Sequence, residues 1–471
     1  MRRAKIVCTI GSATRSAGKI AELIHAGADL FRLNFSHGTH GEHAETIGFI
    51  RDASKQIGKP IAILQDLQGP RIRLGAFRDG TVTVQRGDRF TLTSRPVSGD
   101  QSQVSVNDPA LIKEAGRSAR IFIADGLIQL RVTEATDTDL ICEVVDGGIL
   151  SDHKGVNLPG VDFHREALTE KDRADIRFGL EQGVEYIAVS FVQGPEDVLA
   201  AKQLMKGEKQ PVPVIAKLET PKAVRRLDSI LEVADGVMIA RGDLGVEMEP
   251  EEVPLVQKEI IEKANRSNVI VITATQMLES MTHNPRPTRA EASDVANAVF
   301  DGTDAVMLSA ETSIGLFPVE AVSMMHRILE SAESRSVQWR RTRREERHGA
   351  GSLPEASCEA AAHAAVEIGA KAIVAFTQSG STARLISKFR PAVPVLAFAS
   401  SETVRRRMAL YWGVEPRFMP PIDEADRLIA EVERILMDEG LARSKDCFVI
   451  VFGFPIRKKG PTNMIKLHQI E

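Results

Sequence analysis

The segment at residues 214–219 constrains the fold of this chain more than any other. Its sequence, Val-Ile-Ala-Lys-Leu-Glu, is an apolar run that carries two opposite charges, Lys217 and Glu219. Because side chains alternate between the two faces of a β-strand, both charges would lie on the same face. A strand enclosed by helices is expected to be apolar on both faces. The two charges therefore indicate either a satisfied ion pair at a strand end or a functional site.

Strand and helix patterns alternate through most of the first three-quarters of the chain. Eight strands are predicted, at residues 5–10, 30–35, 61–67, 186–192, 214–219, 236–240, 269–274 and 305–308. Helical stretches with the expected apolar periodicity adjoin them. Eight β/α units in series predict an α/β chain built on a (β/α)8 TIM barrel, made of residues 1–69 and 166–338.

Two further domains are predicted beside the barrel. Residues 70–165 contain short β-like runs separated by turn residues, which predicts a small β domain inserted in a loop of the barrel. Residues 352–471 show a second α/β rhythm, which predicts an open-sheet C-terminal domain. The arginine-rich stretch at 339–351 predicts an exposed linker. Its nearby glutamates favour a solvated surface over an anion-binding patch.

The composition argues against several classes of protein. A net charge of −4 over 471 residues argues against a nucleic-acid binder. The four cysteines are far apart and form no CxxC motif, which predicts reduced core residues in a cytoplasmic protein. No apolar run approaches the roughly 20 residues of a membrane span, so no membrane partner is expected. The basic start leads directly into a predicted strand, so no signal peptide is expected.

Polar residues collect where the predicted strands end. They are Arg32, Asn34, Ser36 and His37; Asp66, Arg71 and Arg73; Lys217 and Glu219; Arg241 and Asp243; Thr273 and Thr275; and Ser309, Glu311 and Thr312. In a TIM barrel the carboxyl ends of all strands meet at one rim, which is where active sites lie. Unrelated structural ion pairs would not be expected to collect there, so this pattern favours the functional interpretation of Lys217 and Glu219.

The residue types at this rim narrow the chemistry. Glu219 and Asp243 are too few for an all-protein calcium site, but they suit Mg²⁺ or Mn²⁺ completed by water and substrate oxygens. Arg32 and Arg73 are fork-shaped donors that suit a phosphoryl group. Lys217 would stabilise charge that develops beside the metal. Phosphoryl transfer to or from a small substrate fits this set best, because it needs positioning and charge stabilisation and no covalent nucleophile.

Several motifs resemble those of the pyruvate kinase family. They are Phe-Arg-Leu-Asn-Phe-Ser-His-Gly at 31–38, Lys-Leu-Glu at 217–219, Arg-Gly-Asp-Leu-Gly at 241–245, Thr-Ala-Thr-Gln-Met-Leu-Glu-Ser-Met at 273–281, Arg-Pro-Thr-Arg-Ala-Glu at 286–291 and Ser-Asp-Val-Ala-Asn-Ala at 293–298. The resemblance covers nearly the whole chain. It implies Mg²⁺-dependent phosphoryl transfer from phosphoenolpyruvate to ADP, giving pyruvate and ATP in glycolysis. It also implies that the inserted domain is a small β-barrel that acts as a lid, and that the enzyme is a homotetramer with Arg289 near a subunit contact.

The resemblance also implies a role for each matching residue. Glu219 and Asp243 would hold the divalent ion, and Lys217 would stabilise the phosphoryl group in transfer. The backbone N–H groups of Gly242 and Asp243, together with Thr275, would hold the substrate carboxylate, and Thr275 would lie near the proton path to the enolate. Arg32 and Arg73 would grip phosphate. The residues expected at the nucleotide are Asn34, His37, Arg73 and Lys154.

The chain departs from the family where many members hold K⁺. That ion is held by residues matching Asn34, Ser36, Asp66 and a threonine, but this chain has Leu67 at the threonine position. It also has Gln68 in place of a lysine and Arg71 in place of a glutamate, a pattern similar to the K⁺-independent branch. Because a fixed cation near the ion's position would disfavour K⁺ and supply its charge, we expect no K⁺ requirement.

A second candidate site lies in the C-terminal domain. Its residues follow a predicted strand and open a helix, and they are Thr377, Gln378, Ser379, Gly380, Ser381 and Thr382. Their hydroxyl and N–H groups could cradle phosphate, and this region of the family binds phosphorylated allosteric effectors. The alternative is an ordinary strand-to-helix turn.

Two other functions remain open from the sequence. One is a metal-dependent lyase or aldolase acting on pyruvate, which the lid and the two phosphate-gripping arginines disfavour. The other is a catalytically inactive metabolite sensor, which the intact Lys217, Glu219, Asp243 and Thr275 disfavour.

Overall fold

The computed structural model describes residues 2–116, 118–124, 126–160, 166–208, 211–340, 352–456 and 460–470, with side chains omitted at 335–340. The predicted arginine cluster of the linker, made of Arg340, Arg341, Arg343, Arg344 and Arg347, lies outside the described side chains. No helix in the described part of the chain is both long and apolar enough to cross a membrane.

The strands fall in four groups along the chain. The first three are β1 (Lys5–Ile10), β2 (Leu30–Asn34) and β3 (Ala62–Asp66). The inserted segment contributes β4 (Thr81–Val84), β5 (Arg89–Thr93), β6 (Gln103–Ser105), β7 (Arg120–Ile123), β8 (Ile128–Ala135), β9 (Asp139–Asp146), β10 (Gly148–Ser151) and β11 (Val156–Asn157). Five more follow, β12 (Tyr186–Val189), β13 (Val214–Leu218), β14 (Gly236–Ala240), β15 (Ile270–Ala274) and β16 (Ala305–Leu308). The last are β17 (Ala372–Phe376), β18 (Val395–Ala399), β19 (Val414–Phe418), β20 (Cys447–Phe452) and β21 (Met464–Gln469).

The helices connect these strands. In chain order they are α1 (Ala17–Ala26), α2 (His40–Ile57), α3 (Ala110–Glu114), α4 (Glu170–Gln182), α5 (Pro195–Leu204), α6 (Pro221–Arg225), α7 (Leu227–Val233), α8 (Arg241–Glu247), α9 (Val253–Arg266), α10 (Arg289–Asp301), α11 (Ala310–Ser313), α12 (Pro318–Arg340), α13 (Leu353–Glu367), α14 (Ser381–Lys388), α15 (Glu402–Arg407) and α16 (Ala425–Asp438). Local signals define several of them. The capping box of Thr39 and Glu42 starts α2, and Gly58, with a φ of 77°, ends it.

Eight parallel strands close the predicted TIM barrel. The order around it is β1-β16-β15-β14-β13-β12-β3-β2, so each strand lies beside its neighbour in the series. The five residues of β13 are all buried, including Lys217, because helices cover the outside of the barrel and side chains fill its interior. The parallel pairing brings all carboxyl strand ends to one rim, as the sequence predicts.

The inserted segment after β3 forms the predicted small β domain from two sheets. The first has six strands in the order β11-β7-β8-β9-β5-β6, and the second pairs β10 with β4. Both pack around one apolar core, to which β4 contributes Val84, β5 contributes Phe90 and β10 contributes Leu150. Strand β11 then leads the chain back to the barrel.

The C-terminal domain is the predicted open sheet, in the order β19-β18-β17-β20-β21. It packs against the amino ends of the barrel strands, where its core is continuous with the side chains inside the barrel. Ion pairs join the two parts: Arg390 Nη1 lies 2.7 Å from Asp304 Oδ1, and Arg406 Nε lies 2.7 Å from Glu185 Oε1. The C-terminal domain is therefore on the opposite side of the barrel from the rim.

Several elements have features that no simple sequence pattern predicts. The segment after β13 forms two short helices, α6 and α7, which meet at Arg226, because its φ of −103° and ψ of 17° interrupt helical geometry. The short helices α8 and α11 begin directly after their strands and have no side-chain hydrogen bond at the N-cap. The sequence therefore carries no capping signal that would predict them. Strand β19 begins at Val414, two residues before Pro416, because proline is tolerated in the edge strand of a sheet.

The four cysteines are free, as predicted. Cys8, Cys142 and Cys358 are buried and Cys447 is half-buried. Burial raises the pKa of the Cys142 thiol to about 12, so this side chain behaves as an apolar core group.

Candidate active site

Lys217 is at the centre of the rim formed by the barrel strands. Its ammonium Nζ lies 2.8 Å from Glu219 Oε1 and 3.3 Å from Asp66 Oδ1, and it donates to Ser190 Oγ at 2.7 Å. The residue is only 8% exposed. Three neighbouring strands, β3, β12 and β13, therefore converge on one buried ammonium group.

The charges around Lys217 compensate one another. Burial acts to lower the pKa of Lys217, but Asp66 and Glu219 outweigh it and raise that pKa above its ordinary value. Burial acts to raise the pKa of the Asp66 carboxyl, but the charges of Lys217 and Arg32 outweigh it and lower that pKa. Arg32 Nε donates to Asp66 Oδ2 at 2.5 Å and Arg32 Nη1 to Thr9 Oγ1 at 3.2 Å. The site thus holds Lys217 charged and fixes the plane of the Arg32 guanidinium.

Glu219 and Asp243 are the two residues predicted to bind the divalent ion. Glu219 is 1% exposed, and its Oε2 accepts a hydrogen bond from the Phe191 N–H at 2.6 Å. Burial raises the pKa of Glu219, and the neighbouring Asp243 charge raises it further against the effect of Lys217. A divalent cation between the two carboxylates would relieve both burial and repulsion. The described residues contain no group of three or more potential metal ligands, so such an ion would need water or substrate oxygens.

Thr275 and α8 meet beside this pair. The Thr275 hydroxyl accepts the Gly242 N–H at 2.7 Å and donates to the Ala274 carbonyl at 2.6 Å. Thr275 and Gln276 have φ values of 68° and 52°, a left-handed conformation that a β-branched residue such as threonine rarely adopts. The strained turn is held by Arg241, which donates to the Thr275 carbonyl at 2.7 Å and pairs with Asp294 at 2.7 Å.

The turn after β2 places three more predicted residues at the rim. The Asn34 side chain accepts the Ser36 N–H at 3.1 Å, which shapes the turn locally. His37 is exposed at its end. Burial lowers the pKa of His37, and the charges of Arg73, Arg32 and Arg71 lower it further. The predicted arginines therefore lie close enough to act on one imidazole.

The start of the inserted domain supplies Arg71 and Arg73. Arg71 Nη2 lies 3.5 Å from Asp243 Oδ1, and Arg73 Nη1 donates to the His153 carbonyl at 3.0 Å. Lys154 is exposed next to Gly155, which bridges to Arg73 across the two ends of the inserted segment. The side chain of Leu67 lies in the apolar core between strands and helices. Leu67 occupies the position where many family members have a threonine that holds K⁺. In this chain that position therefore presents no polar side chain at the rim.

The inserted domain also contacts α8 through polar groups. Asn157 Nδ2 donates to Glu247 Oε1 at 2.8 Å, and Arg120 Nη2 lies 3.4 Å from Glu249 Oε1. Burial raises the pKa of Glu247. Glu247 is four residues after Asp243, so both lie on the same side of the helix.

Some polar residues predicted at strand ends do not join the site. Glu311 is fully buried, and its carboxylate accepts the N–H groups of Leu278 and Ser309. Thr312 donates to the Thr9 carbonyl, and Thr273 donates to Thr303 inside the barrel. These groups satisfy backbone and side-chain hydrogen bonds at the eighth and seventh strands.

Sequence reasoning missed Ser190 and the Asn157–Glu247 pair. Ser190 follows β12 directly, and a survey of every strand end would have found it. No sequence signal connects Asn157 with Glu247, because 90 residues separate them and only the fold brings them together.

The second candidate site lines a cavity of about 460 Å³ in the C-terminal domain. Five of the six predicted residues face this cavity: Thr377, Gln378, Ser379, Ser381 and Thr382. Gly380, with a φ of 89°, forms the turn between them, and its N–H donates to Thr377 Oγ1 at 2.9 Å. The loop thus presents hydroxyl groups to an open space beside the start of α14.

Comparison with known proteins identifies the family. The family model "Pyruvate kinase, barrel domain" matches residues 1–322, and "Pyruvate kinase, alpha/beta domain" matches residues 355–468. The chain belongs to the pyruvate kinase family. The pyruvate kinase of Geobacillus stearothermophilus and pyruvate kinase 2 of Synechocystis sp. are each 44% identical to it, and the alignments cover 100% of this chain and 80% of each relative. The crystal structure of a pyruvate kinase from Cryptosporidium parvum has a TM-score of 0.94 at 34% identity, and the match covers 100% of this chain and 96% of that one.

Membership in the pyruvate kinase family confirms the predicted fold and reaction class. The chain is a phosphotransferase whose substrates are phosphoenolpyruvate and ADP, with pyruvate and ATP as products, and the family depends on a divalent cation. The assignment of individual residues, the K⁺ requirement, the effector and the oligomeric state stay predictions.

Proposed function

We propose that phosphoryl transfer takes place at the rim described above, around the Lys217 ammonium. The observation that carries this assignment is the position of Lys217 Nζ between Asp66, Glu219 and Ser190, beside the carboxylate pair Glu219 and Asp243. Its charge would face the phosphoryl group as that group passes from the enol oxygen to the nucleotide and negative charge develops on the enolate oxygen. Glu219 and Asp243 would hold Mg²⁺ or Mn²⁺, which supplies Lewis-acid stabilisation of the phosphoryl and enolate oxygens when bound.

The remaining rim residues would bind and orient the substrate. Arg32 is held in place by Asp66 and Thr9, so its guanidinium would contact the phosphoryl oxygens with little loss of conformational freedom. The substrate carboxylate would accept the N–H groups of Gly242 and Asp243. Gly242 would then release its hydrogen bond to Thr275, which frees the Thr275 hydroxyl to relay a proton toward the enolate.

The inserted domain would close over the nucleotide as a lid. Arg73 and Lys154 lie at its base, on the two chain segments that join it to the barrel. Together with Asn34 and His37 from the turn after β2, they would contact the ADP phosphates. Closure would exclude water, so the phosphoryl group passes to ADP and not to water.

The first test is pyruvate release from phosphoenolpyruvate and ADP with Mg²⁺ in tetramethylammonium buffer free of K⁺. We expect full activity before K⁺ is added, and loss of activity with EDTA. Activity that appears only with K⁺ would still support pyruvate kinase activity, but it would refute the hypothesis that the charge of Arg71 replaces K⁺. Folded protein that is inactive with both Mg²⁺ and Mn²⁺ would refute this function and favour a sensor or a lyase.

The lid contact supports a prediction about Asn157 and Glu247. Replacing Glu247 with leucine removes the acceptor of a partly buried hydrogen bond, so β11, which begins two residues after Lys154, loses its anchor on α8. We expect the KM for ADP to rise about fivefold to tenfold, with a smaller change in the KM for phosphoenolpyruvate, in steady-state kinetics.

Two variants make this prediction specific. Glu247→Gln keeps an acceptor oxygen and should stay near wild type, and Asn157→Asp combined with Glu247→Gln should also keep a hydrogen bond, with its direction reversed. Glu143→Leu removes an exposed ion pair to Arg131 within the lid and serves as the control. Equal KM values for ADP in Glu247→Leu and in this control would contradict the prediction.

We also propose that residues 377–382 bind a phosphorylated effector in the 460 Å³ cavity. Ser381→Asp would place a negative charge beside the phosphate and should abolish the response to the effector, leaving basal kinetics within about twofold of wild type. The measurement is phosphoenolpyruvate saturation with sugar phosphates and with nucleoside monophosphates. Asp426→Asn on α16, outside the residues that line the cavity, is the control. An effector response that survives Ser381→Asp would place the site elsewhere.

We extend the proposal to assembly and location on the family's pattern. The enzyme would act in the cytoplasm as a homotetramer, with Arg289 at the start of α10 supporting the site near a subunit contact. The chain would divide into a catalytic barrel at 1–69 and 166–338, a lid at 70–165 and a regulatory domain at 352–471. Sedimentation equilibrium tests the tetramer directly.

A further inference from the structure

Among the residues that the structure describes, two arginines at the junction of the barrel and the C-terminal domain have no counterion. Arg407 ends α15 and is 8% exposed, and Arg384 lies half-buried in α14. The Nε atom of each is buried and has no acceptor among the residues that the structure describes. Within the same described part of the chain, neither guanidinium forms an ion pair with a carboxylate.

The carboxylates around them are already engaged. Asp235 pairs with Lys202 at 2.8 Å and accepts the Val214 N–H at 2.9 Å. Asp304 is shared by Lys388 and Arg390. Glu185, in the same region, pairs with Arg51 and Arg406. These three carboxylates therefore already have cations of their own.

Both arginines surround one pair of tyrosines, the only two in the chain. The Tyr186 hydroxyl, at the start of β12, donates to the Arg407 carbonyl at 2.7 Å. Burial raises the pKa of Tyr186 and of Tyr411, and the charges of Arg384 and Arg407 act to lower both. Gly380 packs closely against Tyr411. A methyl group at this glycine would lie 3.1 Å from the Tyr411 hydroxyl. Arg384 and Arg407 thus lie on two different helices, α14 and α15, beside the same pair of tyrosines.

A buried charge without a partner is strongly unfavourable. The buried Nε–H of each arginine is a donor that lacks an acceptor among the described residues. A negatively charged acceptor would satisfy two N–H donors at once and compensate two cations. Water would satisfy the hydrogen bonds but leave both charges uncompensated.

We propose that Arg384 and Arg407 form a binding site for one small inorganic anion at the junction of the barrel and the C-terminal domain. The ligand class is a compact anion that accepts charge-assisted hydrogen bonds, either a halide or one oxygen of phosphate. Bound there, it links α14 and α15 to the amino end of the barrel at Tyr186. Because α14 begins at Ser381 in the candidate effector loop, the anion also anchors the helix that this loop opens. The site is independent of the residues assigned to catalysis.

The test is the thermal midpoint of the full chain at constant ionic strength. Sodium gluconate supplies a bulky anion, and sodium chloride or sodium phosphate replaces it stepwise. We expect a saturable rise of roughly 1–3 °C with the anion that binds, and no such rise in Arg407→Met or Arg384→Met. Arg405→Met is the control, because Arg405 is already bonded to Glu402 and to the Gly58 carbonyl. The chloride and phosphate arms distinguish the two ligand sources.

The same series separates an anion site from a structural arginine. Without the binding anion, Arg407→Met should be as stable as wild type or more stable, because it removes an uncompensated buried charge. A bromide-soaked crystal of the full chain should show an anomalous peak within hydrogen-bonding distance of both Nε atoms if a halide binds. An anion-independent midpoint in wild type, or an equal rise in Arg407→Met, would overturn the proposal. If the variants fail to fold, wild-type titration and the soaked crystal decide it.

Discussion

Lys217→Met is expected to lower kcat for phosphoryl transfer by about 10³-fold. Removing one preorganised donor from an oxyanion site costs about 10²–10³ in rate, and Lys217 carries a full charge in a buried position. The KM for phosphoenolpyruvate should change much less, because Arg32 keeps its hydrogen bonds to Asp66 and Thr9. Steady-state kinetics with Mg²⁺ at saturating ADP would measure both constants.

The control for this prediction is Lys222→Met. Lys222 is a half-buried lysine near the rim, whereas Lys217 is buried, and the Lys222 ammonium donates to the neutral Gln193 Oε1 at 3.0 Å. It should retain kcat within about threefold. Lys217→Met leaves Asp66 and Glu219 buried without their shared cation, so circular dichroism and thermal denaturation must show that it is folded at the assay temperature. A folded Lys217→Met that keeps more than a tenth of wild-type kcat would remove Lys217 from the proposed mechanism.

The barrel could be predicted because its strands carry a repeated signal. Each strand in the series is an apolar run between helices, and eight such units leave few other architectures. The prediction was least accurate at α8 and α11, because neither helix has a capping side chain and each begins directly after its strand. Helix α8 nevertheless positions Gly242 and Asp243, so the element that was hardest to predict is essential to the proposed site.

The candidate site could be predicted in part for the same reason. Parallel strands bring their carboxyl ends together, so Arg32, Asp66 and Lys217 could be grouped before any contact was known. The contact of Arg71 with Asp243 could not be predicted, because 172 residues separate them and it depends on how the inserted domain is placed. The left-handed φ of Thr275 likewise has no local glycine to indicate it.

The contact between Arg71 and Asp243 bears directly on the K⁺ hypothesis. Arg71 Nη2 lies 3.5 Å from Asp243 Oδ1, and the two side chains are 28% and 25% exposed. The other residues of the expected K⁺ position have their described contacts away from Arg71. The Ser36 N–H donates to Asn34 Oδ1, and the Asp66 carboxylate pairs with Arg32 and Lys217. Arg71 therefore lies beside the proposed site of the divalent ion, where its positive charge compensates the negative charge of Asp243.

Arg71→Glu is expected to make the enzyme dependent on K⁺. A glutamate at this position would face Asp243, and two like charges this close at an effective dielectric constant of 20 repel by about 4 kcal/mol before screening. With partial exposure, we expect kcat/KM for phosphoenolpyruvate in K⁺-free buffer to fall about 10²-fold. Added K⁺ should recover most of that loss, and it should leave wild type nearly unchanged. Activity in tetramethylammonium chloride, titrated with KCl at constant ionic strength, measures the effect.

Two control variants determine whether charge at this position is the cause. Arg71→Lys keeps the charge without the planar fork, so it should stay active without K⁺. Arg78→Glu makes the same change in charge on the inserted domain, where Arg78 is 69% exposed and lies 4.0 Å from Asp100, and it should not create a K⁺ requirement. If Arg71→Glu is equally active with and without K⁺, then Arg71 does not replace the ion. The polar residues of the turn after β2 would then have to explain any independence from K⁺, because Leu67 offers no ligand at the rim.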